Sequence, residues 1–282
     1  MKPILKWAGG KSKLVNEIQL LYSKSECTRY IDLFCGSLAF PLEATPTSAV
    51  LNDVNSALIS MYECVKRNPE GLLRELERLN GNDCNTKAKF VSLRDEYNTL
   101  KRQDTIEDKA RFAALFIYLN KRSFNGLYRE SRSGVYNVPY KEYKTDIYSE
   151  ADVLSLSKYL NENDVILSSK DFREFHLSSF SENDLVYLDP PYYPSRKSQF
   201  TSYWKTPFQV EEQQALCEFC KALDRKGVKF ILSNSPCDEI REMYKDFRQK
   251  TLYIGRQMRS GKGKSAVYSD KHEPNEILIW NF

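Results

Sequence analysis

Histidine is almost absent: His176 and His272 are the only two in 282 residues, and neither has a serine or cysteine nucleophile in a recognisable motif beside it. Triad hydrolysis needs an imidazole to take the nucleophile's proton, so this scarcity argues against it. The seven cysteines, at 27, 35, 64, 84, 217, 220 and 237, are odd in number and scattered, with no secretion signal ahead of them, so reduced thiols are expected. Cys217 and Cys220 form the one C-x-x-C, but a structural zinc would need a second pair of ligands, and Glu211 to Arg225 reads as an amphipathic helix. No metal site is expected. Long apolar runs are missing as well. Nothing approaches the roughly 20 apolar residues of a membrane span, and Met1 to Lys11 offers neither an apolar stretch nor a cleavage site. The expected location is cytoplasmic, with no membrane partner.

Charge of one sign is not in large excess, at a net +4, but its distribution is uneven. Between Lys109 and Lys144 eight basic residues (Lys109, Arg111, Lys121, Arg122, Arg129, Arg132, Lys141, Lys144) face two acidic ones, Glu130 and Glu142. A second run, Arg248, Lys250, Arg256, Arg259, Lys262 and Lys264, contains no acid. A single charge run is ordinarily a solvated surface. Two such runs, interleaved with Phe124, Tyr128, Tyr136, Tyr140 and Tyr143, read instead as a surface that tracks phosphates and offers rings for stacking.

Hydrophobic residues make up 41% and charged residues 28%, the balance of a folded domain. Short apolar runs alternate with helix-period segments, the pattern of an α/β protein with a mostly parallel sheet. Tyr30 to Phe34, Val50 to Asn52, Val165 to Leu167, Leu185 to Leu188, Val228 to Leu232 and Ile277 to Trp280 read as strands. Helices are expected over Val54 to Lys66, capped by Asp53, over Gln209 to Arg225, followed by Gly227, and over Asp238 to Tyr244. Asn68 to Tyr148 breaks the alternation with helices at Thr86 to Leu100 and Glu107 to Lys121, then a loop rich in Gly, Ser, Arg and Tyr. It reads as an inserted helical module. The polar segment Pro194 to Phe208 reads as a mobile loop.

Three places carry chemistry. Asp32-Leu33-Phe34-Cys35-Gly36-Ser37 ends the first strong strand where a helix should begin, and a glycine at a strand's carboxyl end lets backbone approach a ligand closely. Asn52-Asp53 ends the next strand 21 residues after Asp32, about the spacing at which an acid meets a ribose in nucleotide folds. Lys6-Trp7-Ala8-Gly9-Gly10-Lys11 is not a Walker loop, yet suggests backbone held against a flat ligand. Asp189-Pro190-Pro191-Tyr192, directly after the apolar Leu185 to Leu188, is the most specific feature. Two prolines remove two N–H donors and fix φ, leaving aimed carbonyls and the Asp189 carboxylate as an acceptor-only pincer. Such acceptors suit the hydrogens of a nucleobase amine, a poor nucleophile whose developing positive charge they disperse. Tyr192 offers a π-face to that base.

These motifs in this order resemble the Dam-type (D12 class, alpha group) DNA adenine-N6 methyltransferases over most of the chain. The resemblance implies an α/β, Rossmann-like class I methyltransferase sheet with an inserted helical target-recognition domain. Its expected bounds are 1–67 and 148–282 for catalysis and 68–147 for recognition. It implies S-adenosylmethionine as methyl donor, with S-adenosylhomocysteine as product, and double-stranded DNA as partner. A cognate restriction endonuclease acting on the same site without stable complex is left open. Trp7, Lys11, Asp32, Phe34, Gly36, Asp53, Asp171, Phe172 and Asp189 would form the donor pocket, with Asp53 at the ribose and Asp171 and Phe172 at the donor's adenine. Asp189, Pro190, Pro191 and Tyr192 would be the catalytic motif. Phe124-Asn125-Gly126-Leu127-Tyr128-Arg129 and Asn137-Val138-Pro139-Tyr140 match the family's recognition motifs. By that match Lys6, Arg122, Phe124, Asn125, Leu127, Arg129, Asn137 and Pro139 would meet DNA, and the implied target is GATC, with Arg129 and Lys6 on guanine and Leu127 and Pro139 on thymine. Ser37-Leu38, Lys170 and Lys141-Glu142 depart from the family pattern. Three competing readings differ in class: a donor-sensing or DNA-binding protein without turnover, a methyltransferase for RNA or a protein amide, and a nicotinamide oxidoreductase. The intact Asp189 and Tyr192, the basic aromatic insert and the single glycine of Cys35 to Ala39 count against them in turn.

Overall fold

The computed structural model describes residues 1–7, 14–103, 108–193, 208–253 and 276–282. Lys11, the segment 194–207 and the basic residues Arg256, Arg259, Lys262 and Lys264 lie outside the described residues.

Within those bounds the strands are β1 (Arg29–Asp32), β2 (Ser48–Asn52), β3 (Asp164–Ser168), β4 (Asp184–Leu188), β5 (Lys229–Asn234), β6 (Arg248–Leu252) and β7 (Glu276–Trp280). They form one sheet in the order β3-β2-β1-β4-β5-β7-β6. The pairs among β1 to β5 are parallel, and β7 runs antiparallel to both β5 and β6. The α/β, mostly parallel sheet expected from the sequence is therefore present. Its strand order reverses between β1 and β4, and the crevice outside the carboxyl ends of strands at such a switch is where open α/β sheets bind ligands.

Side chains alternate across the sheet with period two and bury two cores. Ile31, Val186, Leu188, Phe230, Leu232, Ile277 and Ile279 face one side, against α8 (Val210–Arg225) and α9 (Asp238–Met243). Tyr30, Leu185, Tyr187, Ile231 and Leu278 face the other, against α1 (Val15–Ser25), α2 (Pro41–Ala44), α3 (Ser56–Arg67) and α7 (Glu150–Glu162). The inserted helices α4 (Pro69–Leu79), α5 (Lys87–Lys101) and α6 (Lys109–Arg122) extend this second core. Helix α6 is buried without interruption from Phe112 to Asn120, enclosed by α3, α4 and α5, as a helix apolar all round must be.

Two local expectations are corrected, and four elements are added. Helix α3 is capped not by Asp53 but by Asn55, whose Oδ1 accepts the amide of Leu58. The helix expected after Gly36 is reduced to the four residues of α2, because Leu38 takes a left-handed φ of 60° and turns the chain. Helices α1 and α7, and α4 within the insert, are not among those expected. Nor is β6: its residues Arg-Gln-Lys-Thr-Leu carry the charge that protects sheet edges, which hid a strand inside a basic run. The described members of that run are engaged, with Arg248 donating to the Phe282 carbonyl at 2.6 Å and Lys250 paired with Glu17 at 2.7 Å. Gly227 does end α8, at φ 76°, donating to the Asp224 carbonyl at 2.8 Å. None of the helices among the described residues is long and apolar enough to cross a membrane.

Because Asn55 is buried and caps the helix that follows the β2 turn, Asn55→Ala is expected to lower the unfolding free energy by about 1–2 kcal/mol. Asn55→Asp, which keeps the acceptor, should recover most of that loss. Urea titration of the three proteins checks it, and equal midpoints for wild type and Asn55→Ala would remove the cap.

Candidate active site and nucleic-acid interface

Three strand ends are joined by one amide. Asn52, fully buried at the end of β2, donates to the Leu33 carbonyl at 3.0 Å and the Lys170 carbonyl at 2.9 Å, and its Oδ1 accepts the Lys170 amide at 2.9 Å. Its own carbonyl takes the Cys35 amide at 2.8 Å. The turns after β1, β2 and β3 are thereby set side by side. Asp53 comes next in the chain, with its carboxylate accepting the Gly36 amide at 3.1 Å and the Asn55 amide at 2.9 Å. Gly36 has φ 47°, and a Cβ there would stand 2.9 Å from the Trp7 indole, so only glycine lets that ring lie on this backbone. Tyr62 holds the Gly36 carbonyl at 2.8 Å.

Acids gather at these ends. Asp32, 2% exposed, accepts the Phe34 amide at 3.1 Å and the Tyr30 hydroxyl at 3.0 Å. Burial, with smaller contributions from Asp189 and Asp53, pushes its carboxyl up to about 8. Burial likewise raises Asp53 to about 6, opposed by its two amide donors. The rings of Phe34, Phe172 and Phe208 meet pairwise at about 6 Å and form an aromatic wall beside the Asn52 junction. Asp171 is placed at the wall's edge. Its carboxylate is held by Arg173 at 2.7 Å, which keeps it below the usual carboxylate range, and it caps the single turn Phe172–Glu174.

The Asp189-Pro190-Pro191-Tyr192 segment leaves the end of β4 next to Asp32 and is fixed from four sides. Ser233 donates to Asp189 at 2.7 Å and lies 3.3 Å from the Tyr187 hydroxyl. Gln213 donates to the Pro191 carbonyl at 2.9 Å and accepts from Asn234 at 3.0 Å. Asn234 in turn accepts the Tyr193 amide at 3.0 Å, and Tyr192 donates its hydroxyl to Glu276. The Pro191 carbonyl is thus engaged by Gln213 and one Asp189 oxygen by Ser233. Ser233, Asn234, Gln213 and Glu276 were missed in the sequence. Ser-Asn-Ser ending an otherwise apolar strand, and a glutamine on the buried face of α8, were the available signals.

The recognition residues are gathered on a folded-back segment after α6. Glu130 and Tyr136 pair antiparallel, as do Ser123 and Tyr140. Tyr128, Glu130, Tyr136 and Val138 point inward, whereas Phe124, Asn125, Asn137 and Pro139 are exposed. Glu130 is completely buried and pairs with Lys101 and the Tyr128 hydroxyl. Phe124 is 45% exposed, and Asn125, at φ 55°, donates its amide to the Tyr143 hydroxyl at 3.1 Å. Lys6 reaches this segment from the N-terminus, its ammonium 3.8 Å above the Tyr143 ring. Leu127 and Arg129 are half-buried, and the Arg129 Nε donates to Asn137 Oδ1 at 2.8 Å. Arg122 is placed differently from the rest. It is 4% exposed and its guanidinium donates to the carbonyls of Tyr143 at 2.8 Å and Thr145 at 2.7 Å, so it holds the segment's return strand from behind and does not face the exposed side.

Known proteins resemble the chain over nearly its whole length. The model of a family described as D12 class N6 adenine-specific DNA methyltransferase matches residues 7–259. The whole chain is 35% identical to the type II methyltransferase M1.LlaDCHI of Lactococcus lactis subsp. cremoris, covering 96% of it. It is 32% identical to the type II methyltransferase M.MjaIII of Methanocaldococcus jannaschii, over all of this chain and 99% of that one. The DNA adenine methylase of Escherichia coli strain K12 is 30% identical over 93% of this chain and 91% of its own length.

A carboxyl raised by folding binds its proton more tightly in the native state, so its stabilising contribution is complete below about pH 4 and is lost as pH rises toward about 8. The thermal midpoint of the ligand-free protein should therefore carry a component that falls between those values. Asp32→Asn, which stays neutral, should show a shallower fall. Calorimetric scans at half-unit pH steps give the comparison, and parallel curves would mean that Asp32 titrates normally.

Proposed function

The chain belongs to the D12 class N6 adenine-specific DNA methyltransferases and is an adenine-specific DNA methyltransferase, and from that premise we propose that it takes its methyl group from S-adenosylmethionine and acts on an adenine turned out of the duplex, within GATC. The observation that carries the reading is the Asp189-to-Tyr192 segment, locked beside the acids of the strand-order switch. S-adenosylmethionine, when bound, supplies a methyl group on positively charged sulfur. The residues fit it: the Trp7 indole lies on Gly36 at the strand ends as a flat apolar surface, and Asp53 and Asp32 beside it are acceptors for ribose hydroxyls and a cation. Lys11, outside the described residues, and the wall of Phe34 and Phe172 with Asp171 complete the assignment.

The Asp189 carboxylate and the Pro190 carbonyl accept the two amine hydrogens, freeing the nitrogen lone pair and dispersing its developing charge. Tyr192, tethered through its hydroxyl, keeps its ring aimed for stacking on the base. Unstacking that base from the duplex costs a few kcal/mol. Residues 68–147 carry target recognition, and 1–67 with 148–282 carry catalysis. Arg129 and Lys6 read guanine, and Leu127 and Pro139 meet thymine methyl groups. Phe124 and Asn125 prop the gap, and Asn137 steadies Arg129. Arg122 belongs to the support, not the contact surface. A separately acting restriction endonuclease of the same site fits the type II relatives.

Asp189→Ala is expected to lower single-turnover methylation by about a hundred-fold or more while S-adenosylmethionine still binds; a near-normal rate in the folded variant would sink the pincer. Asp53→Ala should weaken donor binding by about 1–3 kcal/mol, read by titration calorimetry. Arg129→Ala, assayed on GATC and each single-base variant, should relax discrimination at one base pair. A uniform fall on all sequences would make Arg129 a phosphate contact, and wild-type methylation outside GATC would refute the site.

A further inference from the structure

One buried amide fixes the residue pair that touches both halves of the site. Asn120, at the end of α6 and 2% exposed, accepts the Lys6 amide at 2.9 Å and donates to the Lys6 carbonyl at 2.6 Å and the Gly126 carbonyl at 2.9 Å. Both backbone groups of Lys6 are thus held as a neighbouring strand would hold them. Gly126, at φ 64°, lies so close that a Cβ there would stand 2.4 Å from the Lys6 Cβ, leaving the pair no lateral freedom. From this point the two side chains diverge. Lys6 passes over Tyr143, whose hydroxyl receives the Asn125 amide, on the recognition segment. The Trp7 indole stacks on Tyr128 and Phe116, with centroids 6.0 and 6.5 Å away, and covers Gly36 in the donor cradle.

We propose that Asn120 is a positioning residue that makes Lys6-Trp7 a rigid bridge, through which an occupied donor pocket and a correctly read base favour one another. The inference rests on the reading that Trp7 meets the donor and Lys6 meets guanine. A ligand that settles the indole against Gly36 also settles the backbone of Lys6, because Asn120 and Gly126 allow one placement of both. Lys6 is half-buried with its ammonium over Tyr143, and burial with the nearby Arg122 and Lys141 lowers its proton affinity. Coupling of this kind is reciprocal: each ligand must tighten the other by the same factor.

The test uses S-adenosylhomocysteine and a short duplex containing one GATC, each titrated with and without the other. Wild type is expected to show equal tightening from both directions, within the range of about 5- to 150-fold common for coupled sites. Asn120→Ala and, independently, Gly126→Ala should reduce the factor below about two-fold and relax discrimination at the guanine pair that Lys6→Ala relaxes. Gly126→Ala leaves the Asn120 side chain in place, so a folding failure of one variant does not remove the test. No coupling in wild type, or undiminished coupling in a folded variant, overturns the bridge. If Trp7→Ala leaves S-adenosylhomocysteine affinity unchanged and Lys6→Ala leaves base preference unchanged, the underlying assignments fall, and the bridge with them. If those two variants behave as assigned and coupling survives Asn120→Ala, the bridge alone is wrong.

Discussion

The site depends on strands that end together, and the Asn52 side chain is what makes three of them do so. A parallel sheet aligns its strands but leaves the turns beyond them free to wander, each with unpaired amides and carbonyls. Asn52 satisfies backbone groups from the turns after β1 and β3 while sitting at the end of β2. With those turns fixed, Asp53 can reach the Gly36 amide, Gly36 can lie under the Trp7 indole, and Asp32 is enclosed deeply enough to bind its proton tightly. An amide with no formal charge suits this role, since a buried carboxylate would need compensation and an apolar group would strand three backbone partners.

Much of this arrangement was legible in the sequence because its causes are local. Short apolar runs, buried along nearly their whole length because helices cover both faces of the sheet, give β1, β4, β5 and β7, and a glycine after a strand that ends in an acid gives the cradle. The Asp189-to-Tyr192 segment announces itself by residue type. What stayed hidden were partners supplied from far along the chain. Ser233 serves Asp189 from 44 residues away, Glu276 serves Tyr192 from 84 and Asn120 serves Lys6 from 114, and no spacing rule reaches that far. The partners of Arg122 stayed hidden for a related reason. A basic residue among basic residues looks like a phosphate ligand, and only the fold shows two carbonyls waiting behind it. Strand β6 failed in the opposite direction, because an edge strand is permitted the charge that conceals it.

Positive charge is also sorted by the fold in a way that composition does not show. Of the basic residues between Lys109 and Lys144, Arg111 joins Glu75 and Glu96 among the inserted helices and Arg122 splints the return strand, whereas Lys141 stays at the exposed face beside Phe124 and Tyr143. Part of the charge thus builds the support and part is left on the exposed face. Net charge alone is too small to attract DNA strongly, and a local field of this sort is what remains effective within a Debye length of about 8–10 Å.

The alternation within the recognition segment has an evolutionary consequence. Tyr128, Glu130, Tyr136 and Val138 lock the segment onto the inserted helices, while Arg129, Asn137 and Pro139 occupy the intervening places and contribute little to that lock. Residues that hold the scaffold and residues that face outward are thereby written in separate, interleaved letters. A lineage can rewrite the outward set by single codon changes while leaving the other untouched, so the chemistry of this exposed surface can change without passing through an unfolded ancestor.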